Sequence, residues 1–465
     1  MRKQATDLGK GSVGNLLFKL ALPAIIAQLV NVLYNIVDRI FIGRIPNGEL
    51  AMAGVGVAFP IIMLVSAFSA LVGMGGAPLA AIKMGEKDND AAEKIMTNSF
   101  STLIIISVIL TVSLLIFKEN ILWAFGASNN TIGYANDYIG IYLIGTIFVQ
   151  IGLGMNPFIN TQGFAKTGMI TVLIGAIINI VLDPILIFGF NMGVKGAALA
   201  TISAQFVSAI WVLLFLLGKK SVLKIRKKYI VPSLKVVGPI LLLGISPFIM
   251  QSTESLVIIS MNNNLSKYGG DLAIGAMTIM SSIMQIILLP MIGLTQGAQP
   301  IISFNYGANK LDRVRKTFKL LLISCLVYTT IMWSVIMMFP QAFVAIFNSN
   351  PQLVEITVWS MRIYFSGIFI FGAQIACQQT FLALGQAKIS MILALLRKII
   401  LLIPLIYILP MLFDNKLQGV LMAEPVADIV ASIITIICFS VFYKKALSVN
   451  YLAQPTVDIT KTKKD

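Results

Sequence analysis

The segment GGAPLAAIKMG at residues 75–85 returns as GAQPIISFNYG at residues 297–307, so that Gly75, Pro78 and Gly85 fall on Gly297, Pro300 and Gly307. The same offset, near 222, aligns Phe125 with Phe347, Tyr142 with Tyr364 and Gly145 with Gly367. It also aligns Gly163, Ala165, Lys166 and Met169 with Gly385, Ala387, Lys388 and Met391. A small slip brings Pro23 onto Pro247 and Gly196 onto Gly419. Isolated small-residue matches are common in apolar sequence, but a shared Gly-x-x-Pro-x₆-Gly at the same place in two halves is not. The chain reads as one unit written twice.

Each unit is built for a membrane. Of the 465 residues 57% are hydrophobic and only 12% charged, against roughly 25% charged in an ordinary soluble domain. Apolar stretches long enough to cross a bilayer, about 20 residues, recur at 16–42, 51–73, 95–117, 134–158, 167–190, 196–217, 236–261, 272–297, 317–339, 357–382, 389–411 and 418–443. The expected fold is therefore an all-α integral membrane protein with twelve transmembrane helices, in two pseudo-symmetric six-helix lobes around a central cleft. The expected divisions are a first lobe at 1–217, a basic connector at 218–235, a second lobe at 236–443 and a tail at 444–465. Six spans per unit start both halves on the same side, which makes them parallel repeats about an axis along the membrane normal. The polar segment after Arg2 and Lys3 and the full length of the first apolar run predict a retained first span rather than a cleaved signal.

The net charge of +16 is concentrated in loops and tails, which excludes a nucleic-acid surface. The N-terminal tail, the even-numbered loops and the C-terminal tail hold 24 Lys and Arg, seven of them in the connector, whereas the odd-numbered loops hold 6. Cytoplasmic loops are enriched in Lys and Arg, so both termini are expected in the cytoplasm and the protein in a bacterial plasma membrane. The connector lysines are most simply topology signals. Histidine is absent, and Cys325, Cys377 and Cys438 have no metal or redox spacing. No cofactor is expected, and the missing catalytic loop or metal motif argues against an enzyme.

Intramembrane charge carries the functional signal, because a central carboxylate costs on the order of 3 kcal/mol and usually faces a partner, a cavity or an ion. Gln28, Asn31, Asn35 and Asp38 lie three or four residues apart along span 1 and share one helical face, with Tyr34 beside it. Asn179 and Asp183 share a face of span 5, and Pro184 deprives the carbonyl of Ile180 of its helical donor. No Lys or Arg lies mid-span in this half. Two carboxylates in one pocket resist joint ionisation, so they hold a proton or bind a cation such as Na⁺. The bland alternative for Asp38 is pairing with Arg39 or Arg44 at the outer end of the span. The second half differs, because Glu254, Glu424 and Asp428 have Arg397 and Lys398 available, and a structural ion-pair network is the favoured reading there. Glu254 keeps a substrate or second-ion role open. On span 8, Met277, Met280 and Met284 share a face that suits either ordinary packing or an adaptable substrate wall.

Taken together, ALPAIIAQLVNVLYNIVDRIFIGR (21–44), GGAPLAAIKMGEKD (75–88), NPFINTQG (156–163), IINIVLDPILIF (177–188), VKGAALAT (194–201), QGAQPIISFNYGA (296–308) and LRKIILLIPLIYILP (396–410) resemble the multidrug and toxic compound extrusion (MATE) family, within it the bacterial MepA-like branch. The resemblance covers nearly the whole chain. It implies two lobes, a central cleft and antiport of a drug against Na⁺ or H⁺. It further implies a cation-coupling site at Asp38, Asn156, Asn179, Asp183 and Thr201, and cleft positions at Tyr34 and Gln205. Span 10, IFGAQIACQQTFLALG (370–385), departs from the branch that places an Asp there, offering Gln374, Gln378 and Gln379 instead.

The expected function is a monomeric multidrug efflux antiporter for small, amphipathic, cationic compounds, working by alternating access in a lipid bilayer. The rival is a lipid-linked sugar flippase, whose cleft would need Arg and Lys to hold pyrophosphate; only Arg397 and Lys398 qualify.

Overall fold

A computed structural model describes residues 7–347 and 350–447. Arg2, Lys3, Lys461, Lys463 and Lys464, part of the charge count above, lie outside the described residues. The first half comprises α1 (Val13–Gly43), α2 (Gly48–Gly85), α3 (Asn89–Ala124), α4 (Ile132–Ile144), α5 (Thr146–Thr161), α6 (Ala165–Pro184) with a π-helical continuation (Ile185–Gly189), and α7 (Val194–Leu217). The second half comprises α8 (Leu234–Ser252), α9 (Glu254–Gly307, interrupted at Gly270, φ 64°, so that Leu234–Gly270 and Leu272–Gly307 are two spans), α10 (Leu311–Met338), α11 (Pro340–Ala345), α12 (Pro351–Tyr364), α13 (Ile368–Ala383), α14 (Ala387–Leu395) with a π-helical continuation (Leu396–Leu402), α15 (Ile403–Leu412) and α16 (Lys416–Ala446). Among the described residues ten helical segments are long and apolar enough to cross a membrane. Two bent pairs, α4–α5 and α12–α13, bring the number to twelve.

The repeat extends to backbone detail. Span 4 turns by 59° between α4 and α5, and span 10 by 51° between α12 and α13. The hydropathy pattern alone reads each as one unbroken span. Gly145 and Gly367 stand at these turns because each presses against the last span of its own lobe. A Cβ at Gly145 would sit 2.7 Å from Cβ of Ile202, and one at Gly367 3.0 Å from Cα of Pro425. The turn after span 2 places Lys87 at φ 65° and the matching turn after span 8 places Asn309 at φ 54°. The fifth span of each half also slackens into a π-helix, after Pro184 in one and at Leu396 in the other. Such local insertions occur frequently at functional sites.

Packing separates two lobes and then ties them together. One core draws only on the first half, from Ile42 to Ala198, and another only on the second, from Val257 to Ala427. The start of each half, however, packs in the other lobe. Leu8, Leu16, Leu17 and Leu20 lie with Ile301, Ile302, Val314 and Leu321, while Leu223 and Ile240 lie with Val72, Met96, Phe158 and Val212. The connector is accordingly an ordered strap. Oε1 of Gln162 accepts from Oγ of Ser221 at 2.9 Å and from the backbone N–H groups of Val222 at 2.7 Å and Leu223 at 2.9 Å. Glu93 receives Nε of Arg226 at 2.6 Å, and Asp90 receives Lys228 at 2.6 Å and the hydroxyl of Tyr229. The hydrogen bond to Asp90, followed by that to Tyr229, pushes the pKa of Lys228 up. Reading these basic residues as topology signals alone therefore misses a second role, since two of them fasten the connector to α3. At the opposite start, Nζ of Lys310 donates to the carbonyl of Gly9 at 2.9 Å and Arg313 to that of Gly11 at 2.8 Å.

The glycines of the repeated motif are the points where the lobes meet. A Cβ on Gly75 would fall 2.8 Å from the backbone N of Gly244 in α8, and one on Gly297 2.5 Å from Cα of Ala21 in α1. A Cβ on Gly85 would fall 2.8 Å from the backbone N of Ala308, and one on Gly307 2.7 Å from the carbonyl carbon of Ile82. These approaches, with the Gln28–Gln296 hydrogen bond of 3.3 Å and the Phe68–Phe248 ring contact of 4.9 Å, join the lobes toward the face that carries Leu8 and the connector.

Candidate functional site

Helices α1, α6 and α7 bring four of the five residues assigned to cation coupling into one place. Asp183 is fully buried, Asn179 almost so, and Asp38 retains 8% exposure. Nδ2 of Asn179 donates to Oδ1 of Asp183 at 3.3 Å and to Oγ1 of Thr201 at 3.5 Å. The i, i+4 spacing on α6 sets the first contact, and the α6–α7 packing sets the second. Thr201 spends its own proton on the carbonyl of Ala197 at 3.0 Å, which leaves its lone pairs to the site. Asp38 and Asp183 lie within electrostatic reach of each other, and two carboxyl groups this close resist joint ionisation.

The unsatisfied atoms define what the cluster lacks. Oδ1 of Asp38, Oδ2 of Asp183 and Oδ1 of Asn179 are buried without a hydrogen-bond partner. All three are acceptors. Buried polar atoms are rarely left unpaired, and acceptors of this kind can be paired by a proton or by an oxygen-seeking cation. Two carboxylates, an amide oxygen and a hydroxyl fit a small hard cation such as Na⁺, and they fit a shared proton equally. Among the described residues no ion pair joins either aspartate to Lys or Arg; Arg39 is exposed and lies over the ring of Phe59 at 5.4 Å, and Arg44 is exposed as well. The expected rival pairing at the outer end of α1 is not formed.

Asn156 stands apart from the other four. Its Nδ2 donates to the carbonyl of Gly168 at 3.3 Å, near the start of α6. Gly168 and Asp183 are fifteen residues apart in the sequence, about 22 Å along a helix. The packing of α5 against α6 decides this, and motif spacing does not report it. Tyr138 is the residue that the sequence reading misses. Buried in α4, it lies within electrostatic reach of Asp38, with Tyr142 stacked beside it at 6.4 Å. An uncharged residue in an apolar run gives no cue except that Tyr142 is a repeat position.

The cleft positions divide. Gln28 bridges the lobes through Gln296. Tyr34 lies near Asp38, and Asn35 donates to the carbonyl of Asn31 at 2.6 Å. Gln205 is half-buried in α7 beside Gly152. Met277 and Met280 are buried in the second-lobe core with Phe365, Phe371 and Leu421, and Met284 packs against that core. In this structure they are therefore packing residues rather than a substrate wall, because α12, α13 and α16 supply the core that surrounds them.

The second lobe holds its acids differently. Arg397 donates to Asp428 at 2.7 Å and to Glu424 at 3.2 Å, its guanidinium over the ring of Phe371 at 4.4 Å. Lys398 donates to Glu254 at 2.8 Å. Arg397→Ala leaves Glu424 and Asp428 buried without their cation and is expected to cost about 3–5 kcal/mol. Thermal unfolding of the purified protein in detergent measures it, and an unchanged midpoint would contradict a structural role for this network.

Comparisons with known proteins agree with the doubled architecture. The MatE family profile matches residues 23–185 and again residues 246–408. The multidrug export protein MepA of Staphylococcus haemolyticus (strain JCSC1435) is 27% identical over 423 residues, covering 91% of this chain and 92% of that protein. MepA of Staphylococcus aureus (strain NCTC 8325 / PS 47) is 25% identical over 427 residues, covering 91% and 94%. The MATE multidrug transporter DinF-BH, solved in complex with a ligand, superposes with a TM-score of 0.88 at 35% identity, covering 95% of this chain and 99% of that one.

Proposed function

The chain belongs to the MatE family, and from that premise we propose that it is a multidrug exporter that exchanges small amphipathic cations for Na⁺ or H⁺ by alternating access. The observation that carries the reading is the set of three unpaired oxygens on Asp38, Asn179 and Asp183. A site of acceptors alone changes its charge when a cation or proton arrives, and coupling needs an ion that binds the two states of the protein unequally. Ion entry draws α1 toward α6, while Pro184 and the π-helix after it supply the slack that lets span 5 respond. Drug affinity then falls and the lobes exchange their openings. The basic face is cytoplasmic in this reading, which fits the placement of Lys and Arg, and the protein works as a single chain in a bacterial plasma membrane.

The flippase reading loses its main support at the second lobe. Arg397 and Lys398, the residues a pyrophosphate would need, are already engaged by three carboxylates.

Proteoliposomes loaded with ethidium, with a Na⁺ gradient or a pH gradient imposed separately, test the proposal. Gradient-driven ethidium movement under one of them is expected. Ethidium binding without movement under either gradient, together with translocation of lipid-linked precursors, would replace this reading with the flippase.

A further inference from the structure

The two lobes treat their intramembrane acids in opposite ways. In the first lobe Asp38 and Asp183 have no ion-pair partner among the described residues, whereas in the second Glu254, Glu424 and Asp428 each have a resident cation. Arg397 is spent on Glu424 and Asp428, all three nearly buried. Lys398 is equally buried, its side chain 8% exposed, but its partner Glu254 is 48% exposed. Glu254 also lies within electrostatic reach of Arg397, so its carboxyl sits at the buried cations while its own side chain stays open. It lies within the continuous span Leu234–Gly270. The ring contact of Phe68 with Phe248 lies six residues earlier, about 9 Å along the span. Glu254 thus sits just beyond a point where the lobes touch. By the repeat it matches residues 30–32 of α1, between Gln28 and Tyr34.

Resting on the reading that the cleft carries organic cations, we propose that Lys398 sets the charge selectivity of the cleft, its ammonium serving as a resident counter-ion that neutralises Glu254 and so favours monovalent over divalent substrates. With the pair intact, Glu254 and Lys398 together add no net charge to the second-lobe wall, and the first-lobe acids attract the substrate. A second positive charge on the substrate meets no free carboxylate at Glu254. Without the ammonium, Glu254 becomes a bare acid on that wall. The long stem of lysine, emerging from a π-helical segment, suits a group that holds a carboxylate without a fixed bidentate geometry.

The test is equilibrium binding of tetraphenylphosphonium, a monocation, and of a bis-quaternary ammonium compound, a dication, to the purified full-length chain in nanodiscs. Lys398→Met is expected to raise affinity for the dication about tenfold more than for the monocation, the scale of one added charge at such a range. Adding Glu254→Gln to Lys398→Met should erase that gain. An unchanged ratio in Lys398→Met, or a gain that survives the second substitution, would overturn the proposal and leave the pair structural. If Lys398→Met does not fold, Glu254→Gln alone decides, because it bares the ammonium: the dication should then weaken more than the monocation, and an unchanged ratio would refute the assignment. A wild-type protein that binds neither probe would instead refute the exporter reading.

Discussion

Asp183→Asn is expected to abolish ion-driven export while leaving the protein inserted and able to bind ethidium. The substitution keeps the shape of the side chain and its neighbour Asn179, but it removes the charge and the proton-binding oxygen. An isosteric amide also places a donor among oxygens that are all acceptors. Loss of the coupling free energy, typically 1–3 kcal/mol, corresponds at its upper end to a fall in gradient-driven transport on the order of 100-fold. Asp38→Asn should do the same. Because the two carboxyl groups lie within electrostatic reach of each other, the double substitution should be no worse than either single one, the signature of groups that act as a unit. Efflux at the wild-type rate in both single variants would remove the site from the account.

Gly85→Val and Gly307→Val are expected to block transport by a different route. Each added side chain would enter the backbone of the opposite lobe, with Cβ within 2.8 Å of the backbone N of Ala308 or 2.7 Å of the carbonyl carbon of Ile82. Backbone cannot rotate away as a flexible side chain does. Overpacking of this kind costs about 1–3 kcal/mol, which shifts the balance between closed and parted lobes roughly 5- to 150-fold toward parted. Ethidium binding should survive, efflux should fall at least about tenfold, and cysteines placed on the connector face should label faster with a water-soluble reagent. Normal transport with unchanged labelling would mean that these contacts do not govern closure.

Much of this was legible because the repeat is written in residues that touch backbone. Gly75, Gly85, Gly297 and Gly307 stand out in the sequence for the same reason that they matter in the fold: each tolerates no Cβ where helices of opposite lobes cross. Asp38, Asn179 and Asp183 were legible from helical spacing and the cost of a buried charge, and Thr201 through the family resemblance. What escaped depends on packing between helices. Asn156 shares a family motif, yet the seating of α5 on the start of α6 removes it from the aspartates. The bends at Gly145 and Gly367 interrupt runs of unbroken apolar character, and a hydropathy pattern does not register a change of direction. Tyr138 lies in α4, on the side of the bend away from Asn156. The connector reads as a charged loop, and only the clasp by Gln162 and Glu93 reveals it as part of the first lobe's packing.

The central claim is that ion and drug compete, through the conformation, for a protein whose ion sits at Asp38 and Asp183. Cation release on drug binding measures this directly. Purified wild-type protein in weakly buffered solution is mixed with ethidium while protons are followed with a pH dye, and in a parallel sample bound ²²Na⁺ is followed by scintillation. The account predicts that ethidium displaces one of the two ions from the wild-type protein and neither from Asp183→Asn. Ethidium binding that releases neither ion from the wild type, or that releases the same ion from Asp183→Asn, would contradict it.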